Sequence, residues 1–316
     1  MIKENIWIIG TGYMAIEYAK VLQKLSCEFI AIGRGSENCK HFREITGVDS
    51  IDGGLVEFLK TNPRIPNAVI NTVGIDSLSS STRSLIEYGI KYILLEKPGF
   101  GNPNELSETL LLSKKYDSNI LLAYNRRFYQ SALKAVEIIN ADGGVKSFNF
   151  EFTEWSHSIQ TLDKSLVEHN NWFYGNSTHL IDLAFFLGGK PKSLSCYKTG
   201  SLNWHPSGSI YSGSGETEGG ALFSYIANWQ SPGRWNLELA TNNYRLIFRP
   251  LEKLQIMKLG SVQIDYFDEI DYKIDEEFKP GIYLQTMAFL NNQKSLFSDI
   301  FEQFENMKEV YSKINF

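Results

Sequence analysis

A lysine and a proline at the end of an apolar run give the chain its clearest chemical signal. Ile93-Leu94-Leu95 reads as a buried parallel strand, and Glu96-Lys97-Pro98 closes it. Proline has no backbone N–H and ends the ladder there. Open α/β sheets bind ligands outside the carboxyl ends of their strands. Lys97 is thus predicted to hold a titratable amine over a ligand crevice. Near the N-terminus, Ile6-Trp7-Ile8-Ile9 runs into Gly10-Thr11-Gly12-Tyr13-Met14-Ala15, a strand, a G-x-G-x-x-A turn and the start of a helix. In such a turn Gly10 permits the tight bend, Gly12 lets a pyrophosphate approach the backbone, and Ala15 lets the helix pack closely on the strand. The helix N-terminus then faces the phosphates. A bare glycine turn is a weak signal, but this one has the strand and helix that it requires. An amine beside a bound dinucleotide suits the interconversion of an alcohol and a ketone.

The second strand ends Ala31-Ile32-Gly33-Arg34-Gly35-Ser36. An acid there would accept hydrogen bonds from the ribose 2′-OH of NAD. The chain offers Arg34 instead, with Ser36 nearby. A guanidinium pairs with a 2′-phosphate and stacks on adenine. NADP(H) is therefore predicted over NAD(H), with NAD as the alternative and an exposed loop arginine as the bland one. Asn71-Thr72-Val73-Gly74 ends the fourth strand; its polar groups either face the cofactor crevice or cap the strand.

These residues need a scaffold. Short apolar runs alternate with helical patterns over the first 120 or so residues, which is the signature of βαβ units and a parallel sheet. Strands are predicted at Ile6–Ile9, Glu28–Ile32, Ala68–Thr72, Tyr92–Leu95 and Ile120–Tyr124, with helices at Met14–Leu25, Glu37–Ile45, Leu55–Lys60, Ser77–Tyr88 and Glu105–Lys115. After Tyr124 come a helix at Gln130–Ile139, a turn at Ala141–Gly144 and a strand-like run at Val145–Trp155. Runs at Ala221–Trp229, Trp235–Thr241 and Tyr244–Phe248 read as an antiparallel sheet, and Tyr283–Asn291 and Leu296–Ile314 as closing helices. The predicted fold is an α/β dinucleotide-binding domain over residues 1–124, then an α+β domain with a large, mostly antiparallel sheet over residues 125–316.

Composition bounds the rest. Of 316 residues, 43% are hydrophobic and 21% charged, an ordinary globular balance that two domains would share. The formal charge is −5 with both signs interspersed, so no basic stripe points to nucleic acid. No apolar run is long enough to span a membrane. The three cysteines, Cys27, Cys39 and Cys196, lack metal-ligand spacing and read as free thiols of a reducing cytoplasm. No metal site is predicted. The helix Thr178–Leu187 is apolar nearly all round, so it is predicted to be buried with His179 and Asp182 on one face. A buried polar pair on such a helix needs partners or a ligand cleft.

Gly10-x-Gly12-x-x-Ala15, Glu96-Lys97-Pro98, Asn125-Arg126-Arg127-Phe128 and His179-Leu180-Ile181-Asp182 together resemble the glucose–fructose oxidoreductase / inositol dehydrogenase (Gfo/Idh/MocA) family, over essentially the whole chain. The resemblance implies a Rossmann domain followed by a sheet domain that forms dimers or tetramers. It implies a secondary hydroxyl or ketone of a sugar, sugar nucleotide or cyclitol as substrate. It implies that Lys97 and His179 are acid/base groups, that Glu96 lies in the cofactor site and that Asn125 contacts the nicotinamide side. Arg126 or Arg127 is read as a partner for an acidic or phosphorylated substrate, or as half of an inter-domain salt bridge. The aromatics Trp155, His157, Trp172 and Tyr174 suit a sugar face or a core. Many members carry Asp four residues before the histidine; here that residue is Gly175, and Asn176 follows as a hydrogen-bonding group or a helix cap. Two rival readings stay open: a redox-assisted glycoside hydrolase or isomerase with a tightly held cofactor, and a non-catalytic dinucleotide sensor.

Overall fold

The computed structural model describes all 316 residues and divides them into two compact units. The first comprises Met1–Asn125 and Ile274–Phe304, the second Arg126–Lys273 and Glu305–Phe316. The strands in chain order are β1 (Ile6–Ile9), β2 (Phe29–Ile32), β3 (Ser50–Ile51), β4 (Ala68–Asn71), β5 (Tyr92–Leu95), β6 (Asn119–Leu122), β7 (Ser147–Glu151), β8 (Pro191–Thr199), β9 (Ile210–Thr217), β10 (Leu222–Asn228), β11 (Asn236–Ala240), β12 (Tyr244–Phe248), β13 (Gln255–Lys258), β14 (Asp265–Tyr266) and β15 (Ser298–Asp299).

The first unit is a doubly wound sheet in the order β15-β6-β5-β4-β1-β2-β3. All neighbours are parallel except β15, which pairs antiparallel with β6. All four residues of β1 and of β4 are buried, as expected of strands covered on both faces. The strand order reverses between β1 and β4, and the carboxyl edge at that point is where a crevice opens. The unit is not one continuous stretch of chain. Helix Ile282–Leu290 returns to it, stacking Phe289 on Tyr92 at 4.3 Å, and β15 adds an edge to the sheet.

The second unit holds an eight-stranded sheet in the order β14-β13-β12-β11-β7-β10-β9-β8. Every neighbouring pair is antiparallel except β7 and β10. Alternation sets its two faces. On β7, Phe148 and Phe150 are buried while Ser147 and Asn149 are exposed. The buried face packs against helix Thr178–Gly188, whose Phe185 meets Phe148 and Phe150 edge-on at 5.9 and 5.8 Å. That packing buries His179, Leu180, Ile181, Asp182, Leu183 and Ala184 in succession. No helix of the molecule is long and apolar enough to cross a membrane.

Candidate active site

In the first unit the glycine turn follows from the ladder beneath it. Gly10 N–H donates to the Ile32 carbonyl and Thr72 N–H to the Ile9 carbonyl, each at 2.8 Å, so three strand ends are tied together. Gly10 has φ +106°, and a Cβ there would lie 2.8 Å from Thr72 Oγ1, so only glycine fits. Gly12 is the opposite case. A Cβ there would meet nothing within 4 Å, so the space above it is open. Gly12 is also the N-cap of helix Tyr13–Lys24, which has no side-chain cap and no acid in its first turn. Uncapped N–H groups and the positive end of a helix dipole favour an anion at this point.

A cavity of about 590 Å³ opens at this point. Gly10, Thr11, Gly12, Arg34, Thr72 and Val73 line it. Arg34 is exposed on its rim and makes no ion pair within the protein. The one acid on the lining, Glu57, is held by Lys60 at 2.6 Å. The cavity therefore fits a dinucleotide: glycine backbone and a helix start for the pyrophosphate, and an unopposed guanidinium at one end.

The other residues read as cofactor contacts lie elsewhere. Ala15 is fully buried under the turn. Gly33 is buried, and a Cβ on it would strike Cys39 Sγ and Thr11 Oγ1. Ser36 faces a separate surface depression with Glu37 and Arg43. Asn71 is fully buried and donates to Ser81 Oγ at 2.8 Å and Thr82 Oγ1 at 3.1 Å, so it ties β4 to helix Ile75–Tyr88. Asn125 donates to the Pro280 carbonyl at 2.9 Å. Tyr13 is exposed, with the Lys279 ammonium 5.0 Å from its ring centre, and Met14 is half-buried. Sequence reasoning missed one wall of the cavity, Ser77, Ser80, Ser81 and Ser84. Their three- and four-residue spacing on one helix face was the available signal.

Glu96 and Lys97 follow β5 on the same carboxyl edge. Glu96 is buried against Tyr18, whose hydroxyl lies 3.2 Å from Glu96 Oε1 and 2.9 Å from Gln285 Oε1. Burial pushes the Glu96 carboxyl up, while the Lys97 ammonium, the Tyr18 hydrogen bond and Lys279 pull it back. Lys97 itself is half-buried. The Pro98 carbonyl behind it accepts from Gln303 Nε2 at 2.9 Å, which also reaches Tyr124 Oη at 3.1 Å. This buried amide fixes the backbone that presents the lysine.

In the second unit His179 is buried one residue into its helix, its ring 6.5 Å from that of Trp235. Asp182 on the same face is taken up by Arg127. Arg127 Nε donates to Asp182 Oδ2 at 2.8 Å and Nη2 to Oδ1 at 2.6 Å, a bidentate pair buried at both ends. Arg127 thus joins the first turn after the linker to the central helix, an ion pair inside the second unit. Removing one partner strands a buried charge. Asp182→Ala is expected to lower the unfolding free energy by about 3 kcal/mol, read by urea denaturation; a loss within measurement error would contradict the structural role.

Arg126 is half-buried, with its guanidinium 4.7 Å from the centre of Trp235. Asn176 is not the helix cap, a position Ser177 occupies; it donates through Nδ2 to both oxygens of Glu154 at 3.0 Å. Ser177 Oγ donates to Glu154 Oε1 at 2.7 Å. Asn176 and Ser177 belong to a π-helical turn, Phe173–Ser177, that leads directly into the helix of His179. Such turns are rare and are frequent at functional sites. Tyr174 sits in the same turn and is half-buried. Glu154 is buried, and burial pushes its carboxyl up against the pull of Ser177, Arg234, Asn176 and Trp172. It is a buried acid that sequence reasoning passed over, although it is in phase with Phe148, Phe150 and Phe152.

No protein-family model matches the chain, and no curated protein matches it in sequence. Solved structures do match its fold along nearly the full length. An oxidoreductase from Agrobacterium radiobacter in complex with NAD+, L-tartaric acid and magnesium superposes with a TM-score of 0.78 at 10% identity, covering 99% of this chain and 96% of that one. The WlbA dehydrogenase from Bordetella pertussis, in complex with NADH and UDP-GlcNAcA, gives 0.78 at 12% identity, covering 99% and 95%. UDP-N-acetylglucosamine 3-dehydrogenase GnnA from Acidithiobacillus ferrooxidans gives 0.74 at 13% identity, covering 100% and 99%. The chain shares the two-part fold of these oxidoreductases.

Proposed function

We propose that this chain is a nicotinamide-dinucleotide oxidoreductase of the glucose–fructose oxidoreductase / inositol dehydrogenase (Gfo/Idh/MocA) family, which interconverts a secondary hydroxyl and a ketone on a sugar, sugar nucleotide or cyclitol. The observation that carries the reading is the cavity over Gly10 and Gly12 at the switch point of a parallel sheet whose β5 ends in Glu96-Lys97-Pro98. The dinucleotide, when bound, supplies or accepts the hydride. Lys97 does the proton work. In reduction its ammonium donates a proton to the oxygen of the forming alkoxide and stabilises the charge developing there; in oxidation the amine takes the hydroxyl proton back. His179 serves as the second acid/base group. The Tyr18–Glu96–Gln285 cluster and Gln303 hold the lysine's backbone rigid from below. NADPH and NADH oxidation over a panel of keto-sugars, and the reverse assay over sugars and cyclitols, test the reading. Cofactor binding without turnover of any carbohydrate would favour a sensor.

NADP(H) is the proposed cofactor. Arg34 is the unopposed cation on the cavity, and charge-assisted bonds to a phosphate are strong. Arg34→Ala is expected to weaken NADPH binding by about tenfold or more and to leave NADH binding little changed. Equal affinity of the wild type for both would sink the preference. The working form is proposed to be a homo-oligomer in the cytoplasm, assembled through the open face of the second sheet, where Tyr197, Leu222 and Ile226 are exposed.

A further inference from the structure

Around Trp235 the second unit gathers hydrogen-bond donors that have nothing to donate to. Trp235 is 5% exposed, and its indole Nε1–H has no acceptor. Arg126 Nε is likewise buried without one, and Arg126 makes no ion pair. Its guanidinium lies 4.7 Å from the Trp235 ring centre. A second guanidinium, that of Arg234, sits 5.3 Å from the same ring and 4.5 Å from Trp155. Stacking on an aromatic face holds a guanidinium in place and leaves its N–H rim available. The nearest carboxyl to Arg234 is Glu154, 3.9 Å away, and both its oxygens are already engaged by Asn176 and Ser177. Arg127, the other cation here, is consumed by Asp182.

Indole N–H and guanidinium groups are donors only. A buried donor without a partner costs free energy comparable to a lost hydrogen bond. Two such groups meet at one ring, with a third, exposed guanidinium beside them, and together they call for an acceptor-only ligand with negative charge. The ring of His179 lies 6.5 Å from that of Trp235, so the cluster adjoins the proposed acid/base residue. We infer that Arg126, Trp235 and Arg234 form a recognition site for an anionic group of the substrate, a carboxylate or phosphate, and that the enzyme acts on acidic sugars in preference to neutral ones. Calling that ligand a substrate rests on the oxidoreductase reading; the anion site itself does not. Arg126 and Trp235 form its floor, and Arg234, half-exposed, its outer edge.

The test is calorimetric titration of the full-length protein with D-glucose, D-glucuronate, D-glucose 6-phosphate and UDP-glucuronate, with and without saturating NADPH. At least one acidic probe is expected to bind about tenfold or more tightly than glucose. Glucuronate against glucose 6-phosphate distinguishes carboxylate from phosphate. Arg126→Gln is expected to abolish the advantage of the acidic probe over glucose. If Arg126→Gln does not fold, Trp235→Phe decides, since it removes the indole donor and keeps an aromatic ring beneath the guanidinium groups; a fall of a few-fold or more in the acidic advantage supports the site. The inference is overturned if no acidic probe outbinds glucose on the wild type, or if the advantage survives the substitution. NADPH titration is a separate readout. Its failure would remove the redox reading and leave the anion result standing.

Discussion

Lys97→Ala is expected to lower kcat by about 10²–10⁴-fold while NADPH still binds. The lysine is the group proposed to move the proton, and general acid–base contributions are commonly of that size. The substitution removes the amine and its stem beyond Cβ and leaves the backbone in place. Glu96 keeps its burial against Tyr18, and the Pro98 carbonyl keeps its bond from Gln303. The cavity lining does not include Lys97, so the nucleotide affinity is expected to stay within a few-fold. Steady-state kinetics on the substrate found by the carbohydrate panel, with NADPH titration on the same preparation, checks both halves. Full turnover by Lys97→Ala would remove the lysine from the chemistry. Loss of NADPH binding along with turnover would make it a cofactor ligand instead.

Gly12→Val is expected to leave the fold intact and cost at least about a hundredfold in dinucleotide affinity. The two glycines of the turn separate folding from binding. At Gly10, φ is +106° and Thr72 stands in the way, so Gly10→Ala is strained in the empty protein. At Gly12 the backbone is extended and a Cβ meets nothing, so a side chain there costs the empty protein little. It would occupy the space through which a pyrophosphate reaches the helix N-terminus. Thermal melting is expected to show Gly12→Val near the wild type and Gly10→Ala lowered, with NADPH binding lost in both. Wild-type affinity in Gly12→Val would mean that the space above Gly12 is not where the phosphates sit.

Much of the first unit was legible because its signals are local. β1 and β5 have the bounds read from their apolar runs, and the glycine turn lies between strand and helix as its spacing required. β3 has two residues and no run to read. β9 was hidden by composition: Ser212-Gly213-Ser214-Gly215 has low strand propensity, and the segment is held by β8 and β10 on either side. The stretch read as one helix at Leu296–Ile314 is instead a strand, a helix, a π turn at Met307–Tyr311 and a last short helix, since Ser298 pairs with Leu122 across the sheet.

Site residues followed the same rule. Thr72, Val73 and Arg34 reach the cavity from strand ends, as the strand pattern implied. Pairings between distant segments were not legible. Nothing local says that Arg127 belongs to Asp182 or that Asn176 and Ser177 belong to Glu154. Glu154 left one trace, the continuation of the inward alternation of Phe148, Phe150 and Phe152 into an acid. A charge at an in-facing position needs a partner, and the search for it leads to the turn ahead of His179.

The cavity over Gly10 and Gly12 is proposed to hold a nicotinamide dinucleotide whose 2′-phosphate Arg34 reads. Paired titration of the purified protein with NADPH and NADH, followed by quenching of intrinsic fluorescence, tests it most directly. The expected result is saturable binding of both, with NADPH tighter by about tenfold or more. Binding of neither, in protein shown to carry no copurified nucleotide, would contradict it, and equal affinity for both would contradict the part given to Arg34.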